Sequence, residues 1–250
     1  MNYKLTLQYD GTDFQGWQIQ DGQRTVQGEL TRALVLLEGR NVTVHGSGRT
    51  DSGVHAEGQV ASVNLQRGLP PERLRAALNG NLPRDVRVLA AETAPDEFHA
   101  RFSARGKTYL YRVILGPVMS PFWERYAHHE ARALDLARMQ TTARLFLGTH
   151  DWTAFSNIHT DAKTRVRTIT ELGVTVREEA RAHAQMLEIT ASADGFLRYM
   201  VRSLVGTLLA VGRHEMDEEL VRRAITHGDR SLAGATAQPR GLTLLRVRYD

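Results

Sequence analysis

Residues 43–65 read T-V-H-G-S-G-R-T-D-S-G-V-H-A-E-G-Q-V-A-S-V-N-L. They hold two β-rich runs, Thr43–Gly46 and Gln59–Leu65, on either side of a glycine-rich connection. Apolar periodicity predicts a helix before and after this pair of strands, and a further strand at each end. The order β-α-β-β-α-β is that of a split βαβ, ferredoxin-like unit. The flanking segments are strand Lys4–Tyr9, helix Val26–Leu37, helix Glu72–Leu78 and strand Val86–Ala91.

The second half of the chain repeats this order. Its predicted segments are strand Lys107–Leu115, helix Leu134–Phe146, strands Ile169–Val176 and Met186–Ala191, helices Leu197–Val211 and Glu218–Thr226, and strand Leu242–Tyr249. We therefore predict an α+β fold of two ferredoxin-like, RRM-like units side by side, residues 1–103 and 104–250. A mostly antiparallel sheet and a central active-site cleft are expected. No linker-like tract lies near residues 95–106, so the units are expected to pack firmly.

The composition excludes several classes of protein. With no cysteine among 250 residues, the chain has no disulfide, zinc–thiolate site, iron–sulfur cluster or cysteine nucleophile, and it fits a reducing compartment. No apolar run is as long as a membrane span requires, and residues 1–9 read as a strand rather than a signal peptide. We therefore expect a cytoplasmic protein with no membrane partner.

The basic residues are mostly arginines. Only Lys4, Lys107 and Lys163 are lysines among 32 basic residues. The planar guanidinium of arginine grips phosphate with two hydrogen bonds and stacks on bases, so this bias suits a nucleic-acid partner. A G+C-rich genome would produce the same bias, and 28 acidic residues nearly balance the charge.

The connection Gly46–Gly58 carries Asp51 two residues after Arg49. Glycines are costly to order, so a cluster of them is reasonable where the backbone turns sharply or approaches a ligand closely. The same residue types also make ordinary turns, which leaves a functional loop and a plain turn as equal alternatives. The spacing excludes a P-loop, a dinucleotide fingerprint and a nucleophile elbow. His55 is close enough in sequence to orient Asp51.

A second informative segment is Phe196–Gly212, which is apolar nearly all round as a helix and is therefore expected to be buried. Arg198 and Arg202 lie four residues apart in it, on one predicted side. A buried guanidinium needs an anionic partner, and Asp51 is the best candidate. An acidic residue on a neighbouring strand, pairing with Arg202 for structure only, is the alternative.

Aromatic and histidine residues give weaker signals. Tyr109 and Tyr111 lie on one face of a predicted strand, where they could stack on a base or simply pack in a sheet. The groups His128–Glu130 and His150–Asp151 lack the spacing of a metal site. We therefore predict no metal site at these histidines.

The segment Gly46–Ala56, G-S-G-R-T-D-S-G-V-H-A, resembles the catalytic signature of the TruA family of tRNA pseudouridine synthases. The likeness continues in family order almost from end to end. Its other blocks are Tyr9–Gln18, Thr25–Gly28, Phe98–Phe102, Lys107–Tyr111, Leu147–Phe155, Phe196–Gly212 and the closing Gly241–Leu244. Departures from the usual pattern are Ser47 and Ser52 in place of alanine, Trp152 in place of phenylalanine, and Arg198–Tyr199 in place of a histidine pair.

The resemblance implies an enzyme that isomerises uridine to pseudouridine at positions 38, 39 and 40 in the anticodon arm of tRNA. It implies a homodimer that needs no cofactor. By position, Asp51 is similar to the family's catalytic aspartate and Arg49 to the arginine that replaces the flipped base. Tyr109 matches the tyrosine over the uracil and Arg202 the arginine paired with the aspartate, while His55 is an expected substrate-binding neighbour. Attack on C1′, attack on C6 and removal of a sugar proton are all compatible with the sequence.

Two other functions fit parts of the sequence. A non-catalytic RNA-binding protein of two RRM-like units would fit the strand order, but the RRM strand signature is missing. An aspartate-based metal hydrolase would need a second carboxylate close to Asp51.

Overall fold

The computed structural model describes residues 1–157 and 162–250. Over these residues the chain forms ten β-strands and five α-helices, and most of the strand pairs are antiparallel. The expected α+β class and mostly antiparallel pairing are confirmed. The chain divides into two compact units, which are Met1–Arg105 together with Thr243–Asp250, and Gly106–Leu242.

The first unit holds four strands and two helices in the predicted order, followed much later by the last strand of the chain. Their bounds are β1 Asn2–Tyr9, α1 Val26–Glu38, β2 Val44–Gly46, β3 His55–Asn64, α2 Pro71–Asn81, β4 Val86–Thr93 and β10 Leu242–Arg248. The strand order is β4-β1-β3-β10, and β2 pairs with β3. Only the β3–β10 pair is parallel within this set.

Local chemistry sets the ends of the first helix. The Thr25 hydroxyl accepts a hydrogen bond from the Gly28 N–H at 3.2 Å, which satisfies one of the free donors at the start of α1. The helix ends at Gly39, whose φ of 72° lies in the left-handed region that glycine adopts without strain. Proline at the first position of α2 fits its fixed φ to the helix start.

The second unit holds the remaining elements. Their bounds are β5 Gly106–Leu115, β6 His128–Glu130, α3 Leu136–Leu145, β7 Gly148–Asp151, β8 Val166–Glu179, β9 Ala184–Ala193, α4 Met200–Gly212 and α5 Glu218–His227. Single-turn 3₁₀ helices lie at Thr153–Phe155, Arg230–Leu232 and Pro239–Gly241. The strand order is β5-β9-β8-β7, all antiparallel, and β6 pairs parallel to β5.

All thirteen predicted strands and helices are present, with ends that shift by a few residues. The two strands that were not predicted, β6 and β7, have three and four residues and polar sequences, so they show no apolar periodicity. Helix α4 is buried nearly all round, as predicted. No helix within residues 1–157 and 162–250 combines the length and the apolar character needed to cross a bilayer.

Candidate active site

Asp51 lies in the loop that joins β2 to β3, residues 47–54, in the first unit. Its side chain is half-buried, and its neighbour Thr50 is buried. The Val54 N–H donates to the Asp51 carbonyl oxygen at 3.1 Å, and Gly53 turns the chain with a φ of 76°. The aspartate therefore stands on a closed, hydrogen-bonded turn rather than on a loose connection.

A second segment, residues 10–18 (the opening segment), lies against this loop. The Trp17 N–H donates to the Thr50 carbonyl at 3.1 Å, and the Gly53 N–H donates to the Phe14 carbonyl at 3.2 Å. A Cβ atom on Gly46 would lie 2.5 Å from the indole of Trp17, so only glycine lets this ring pack on the strand. Backbone hydrogen bonds and close packing thus fix the loop from one side.

A buried polar network supports the loop from below. The Gln59 amide nitrogen donates to the Gly48 carbonyl at 3.1 Å, and the Ser47 hydroxyl donates to the Gln59 amide oxygen at 2.7 Å. The same amide nitrogen lies 3.4 Å from the Tyr9 hydroxyl, which is 2.9 Å from the Thr50 hydroxyl. Since Gln59 is fully buried, these bonds form in a low dielectric and hold residues 47–50 in one geometry.

The Tyr9 hydroxyl stays protonated at physiological pH. Burial raises the pKa of Tyr9 to about 12, and the hydrogen bonds from Thr50 and Gln59 lower it by less. The Tyr9 phenol therefore keeps its proton and its hydrogen bonds in the network at this pH.

Ser47→Ala is expected to destabilise the protein more than Ser52→Ala. The Ser47 hydroxyl is buried on Gln59, whereas Ser52 is exposed, with its hydroxyl 3.2 Å from the Phe14 carbonyl. Losing the buried bond costs about 1 kcal/mol, which lowers Tm by about 2–4 °C in a chain of this size. Thermal unfolding of both variants measures the difference, and equal shifts would contradict a supporting role for the network.

His55 begins β3 and is only 4% exposed. Its Nδ1 accepts a hydrogen bond from the Gly11 N–H at 3.0 Å and lies 3.2 Å from a carboxylate oxygen of Asp10. These contacts tie the opening segment to the strand that follows Asp51.

Arg49 is exposed on the same loop. Its Nε donates to the Gln18 side-chain oxygen at 3.2 Å, at the far end of the opening segment. The guanidinium therefore lies at the surface of the first unit, two residues from Asp51.

Arg202 lies in the second unit, in the first turn of α4. Its Nε donates to the Ala237 carbonyl at 2.7 Å, and its own carbonyl accepts from the Ala237 N–H at 3.0 Å. This two-way contact orients a half-buried guanidinium.

The prediction that Arg198 shares a helix face with Arg202 was wrong. Tyr199 has a φ of 66°, which is left-handed, so α4 begins only at Met200 and Arg198 precedes it. Both guanidinium carbons instead lie near the Tyr199 ring, at 5.0 Å for Arg198 and 5.1 Å for Arg202. The two cations are joined by an aromatic ring rather than by helical spacing.

The two tyrosines of β5 have different surroundings. Tyr111 is fully buried, and its hydroxyl donates to the Gln238 carbonyl at 2.9 Å, so it belongs to the core. Burial raises the pKa of Tyr111 well above its ordinary value. Tyr109 is 7% exposed and meets Phe196 edge to face, with ring centres 5.3 Å apart. Of the pair, Tyr109 keeps the greater exposure.

The sequence-predicted residues fall into two groups. Asp51, Arg49 and His55 lie together in the first unit, whereas Tyr109 and Arg202 lie in the second. In the described part of the chain, no group of three or more histidine, aspartate or glutamate side chains could hold a metal ion.

Sequence reasoning missed the supporting residues Gln59 and Tyr9. Gln59 is the first residue of the run Q-V-A-S-V, and a glutamine in a strand that is to be buried is a visible signal. Its amide, which is buried in the structure, requires hydrogen-bond partners. Its partners lie up to 50 residues away in the sequence, so the signal does not identify them.

Known proteins similar to this chain belong to one family. A family model described as tRNA pseudouridine synthase matches residues 6–103 and 142–250. A protein of Geobacillus sp. (strain WCH70) named tRNA pseudouridine synthase A is 43% identical over 248 residues, covering 99% of this chain and 98% of the relative. A protein of Streptococcus pneumoniae (strain Hungary19A-6) with the same name is 42% identical over 249 residues, with the same coverage.

One solved structure shows a distant likeness. The structure titled "Crystal Structure of a Cbf5-Nop10-Gar1 Complex" matches with a TM-score of 0.34 and 12% identity, over 96% of this chain and 57% of that chain. The classification therefore depends on the sequence comparisons, which span nearly the full length of both chains. On that ground the chain belongs to the TruA family of tRNA pseudouridine synthases.

Proposed function

We propose that this protein isomerises uridine to pseudouridine at positions 38, 39 and 40 in the anticodon stem-loop of tRNA, with Asp51 as the catalytic carboxylate. Membership of the family supports the reaction. The observation that carries the role of Asp51 is its turn, which is hydrogen-bonded to the opening segment and supported by a buried network. A rigid loop is what a reacting group needs in order to meet its substrate in one geometry.

The reaction conserves the atoms of the nucleotide apart from an exchange of hydrogen with water. The N1–C1′ bond breaks, the uracil rotates, and a C5–C1′ bond forms. The hydrogen on C5 then leaves to water while N1 takes up a proton, so the product is an isomer of the substrate. The single carboxylate of Asp51, acting as a nucleophile, is sufficient for such a path.

We assign the other residues by their resemblance to the family. The target base is stacked in RNA and must leave the stack before it can react. Arg49, exposed at the loop surface, fills the space that the base leaves. The resemblance gives Tyr109 the role of the ring over the uracil and Arg202 that of the arginine paired with the family's catalytic aspartate. His55 acts indirectly, because its contacts order the opening segment.

The finer fold, assembly and location belong to the same proposal. We propose that both units are ferredoxin-like; the first carries the full β-α-β-β-α-β order. The family resemblance supports a homodimer and a cytoplasmic location. Sedimentation equilibrium measures the mass of the assembly.

Release of tritium from tRNA containing [5-³H]uridine tests the function directly. The wild-type protein is expected to release tritium from a transcript with uridine at positions 38–40, with chelator present. A matched transcript with cytidine at those positions should release none. Binding without release would favour an RNA-binding protein, and release that chelator abolishes would favour a metal-dependent enzyme; either result would overturn the proposal.

A further inference from the structure

Three rings form a row on the surface of the first unit. The His45 and His99 ring centres are 4.5 Å apart, and the His99 and Phe102 ring centres are 4.4 Å apart. We call His45, His99 and Phe102 the ring cluster. Phe102, at its end, is 78% exposed. A phenylalanine this exposed adds little to the core and leaves most of its ring accessible to a partner.

The backbone beneath the ring cluster is a closed turn. The Ser103 N–H donates to the His99 carbonyl at 2.9 Å, and the His99 N–H donates to the Ser103 hydroxyl at 3.1 Å. His99 Nδ1 accepts from the Arg101 N–H at 3.1 Å, which fixes the plane of the imidazole. The backbone of the turn and the His99 imidazole are therefore held in place before any partner binds.

Further contacts join this turn to the sheet. Ala100 is fully buried, and its N–H donates to the Ser62 hydroxyl on β3 at 3.0 Å. The Ala100 carbonyl accepts from the Tyr249 hydroxyl at 2.8 Å. Phe102 is therefore exposed on a turn that is anchored to the sheet, and the binding of a partner there requires little further ordering of the chain.

Exposed side chains of both charges accompany the turn that carries Phe102. The Arg101 guanidinium lies 5.9 Å from the centre of the Phe102 ring. Arg105 and Arg248 are both exposed, and their backbones share a hydrogen bond of 2.8 Å. Two exposed carboxylates, Asp96 and Glu97, precede the turn and offset part of this charge. Ring stacking, more than net charge, must then supply the attraction.

The middle ring is suited to stacking. Burial lowers the pKa of His99, and the nearby His45 and Arg101 charges lower it further. The imidazole is therefore neutral at pH 7 and packs as a flat aromatic ring.

We propose that the ring cluster, with Arg101 beside it, is a binding site for an unpaired base of the substrate tRNA, outside the site of reaction. The inference rests on the proposed function, since tRNA is the substrate there. Every base has a planar face that stacks on an aromatic ring, and a guanidinium alongside can reach the adjoining phosphate. A second copy of the chain would instead need a wider apolar surface than one phenylalanine offers.

The test compares Phe102→Ala with Phe102→Trp, which restores a larger ring, and with Leu36→Ala as a control. Leu36 is 67% exposed on α1 in the same unit, so it loses a similar exposed apolar group without neighbouring rings. Phe102→Ala is expected to raise the Kd for an unmodified tRNA transcript about 10-fold, and Phe102→Trp and Leu36→Ala to leave it near the wild-type value. The rate at saturating tRNA should stay unchanged in all three.

Salt dependence separates stacking from charge. The slope of log Kd against log salt should be unchanged in Phe102→Ala, whereas Arg101→Ala should reduce it by about one. Equal Kd values for Phe102→Ala and Leu36→Ala would overturn the proposal. A smaller mass of Phe102→Ala than of the wild type, measured by sedimentation, would also overturn it, because it would show that a second copy of the chain covers Phe102. A wild-type protein that binds tRNA without releasing tritium would refute the proposed function alone, because the Kd measurement is independent of catalysis.

Discussion

Asp51→Asn is expected to lower pseudouridine formation at least about 10³-fold, which corresponds to about 4 kcal/mol of activation free energy. The amide has nearly the same shape as the carboxylate, so the turn closed by the Val54 N–H should survive. It lacks the negative charge that nucleophilic attack or proton removal requires. Initial rates of tritium release, with saturating tRNA, measure the effect on the reaction rather than on binding.

Asp13→Asn is the matched control for this change. Asp13 is an exposed carboxylate of the opening segment, so its replacement removes the same charge from the same region. Its activity should stay within about twofold of the wild type, since exposed charges contribute little. The Kd for tRNA should be within about threefold of the wild type in both variants, a difference of less than about 1 kcal/mol. Wild-type rates in Asp51→Asn would exclude the carboxylate from catalysis.

The sequence was sufficient to predict a closely packed turn at Asp51, because the glycines around it are local signals. Gly53 has a φ of 76°, and Gly46 leaves room for the Trp17 ring, so the geometry of this loop depends on both glycines. The buried network could not be predicted. Tyr9 and Gln59 meet only after β1 and β3 have paired, and no local pattern encodes that meeting.

The start of α4 shows a different limit of sequence reasoning. Apolar periodicity continues through Leu197, but Tyr199 adopts a left-handed φ that L residues other than glycine and asparagine seldom adopt. In that conformation the guanidinium carbons of Arg198 and Arg202 lie 5.0 and 5.1 Å from the centre of the ring. The apolar pattern predicts the helix, whereas the backbone conformation of one tyrosine marks where it begins.

Gly16→Ala is expected to impair catalysis through the backbone of the loop. Gly16 has a φ of 86°, and a Cβ atom there would lie 2.6 Å from the Thr50 carbonyl oxygen and 3.1 Å from the Asp51 carbonyl carbon. Backbone atoms cannot rotate away as a side chain can, so the turn must shift. A shift of about 1 Å in a reacting group can cost about 10²-fold in rate, and we expect that loss in kcat. Overpacking should add about 1–3 kcal/mol of destabilisation.

Gly22→Ala separates this contact from the strain of the backbone alone. Gly22 also has a left-handed φ, 69°, but a Cβ atom there would have no heavy atom within 4 Å. Both variants therefore bear the left-handed penalty of about 1–2 kcal/mol, and only Gly16→Ala presses on the residues that carry Asp51. Urea unfolding and single-turnover rates of the two variants should differ accordingly, with Gly22→Ala less stable than the wild type but equally active. Equal kcat values for Gly16→Ala and Gly22→Ala would mean that the loop tolerates displacement. The reaction would then not need a rigid loop, and the rigidity of the loop would no longer support Asp51 as the catalytic carboxylate.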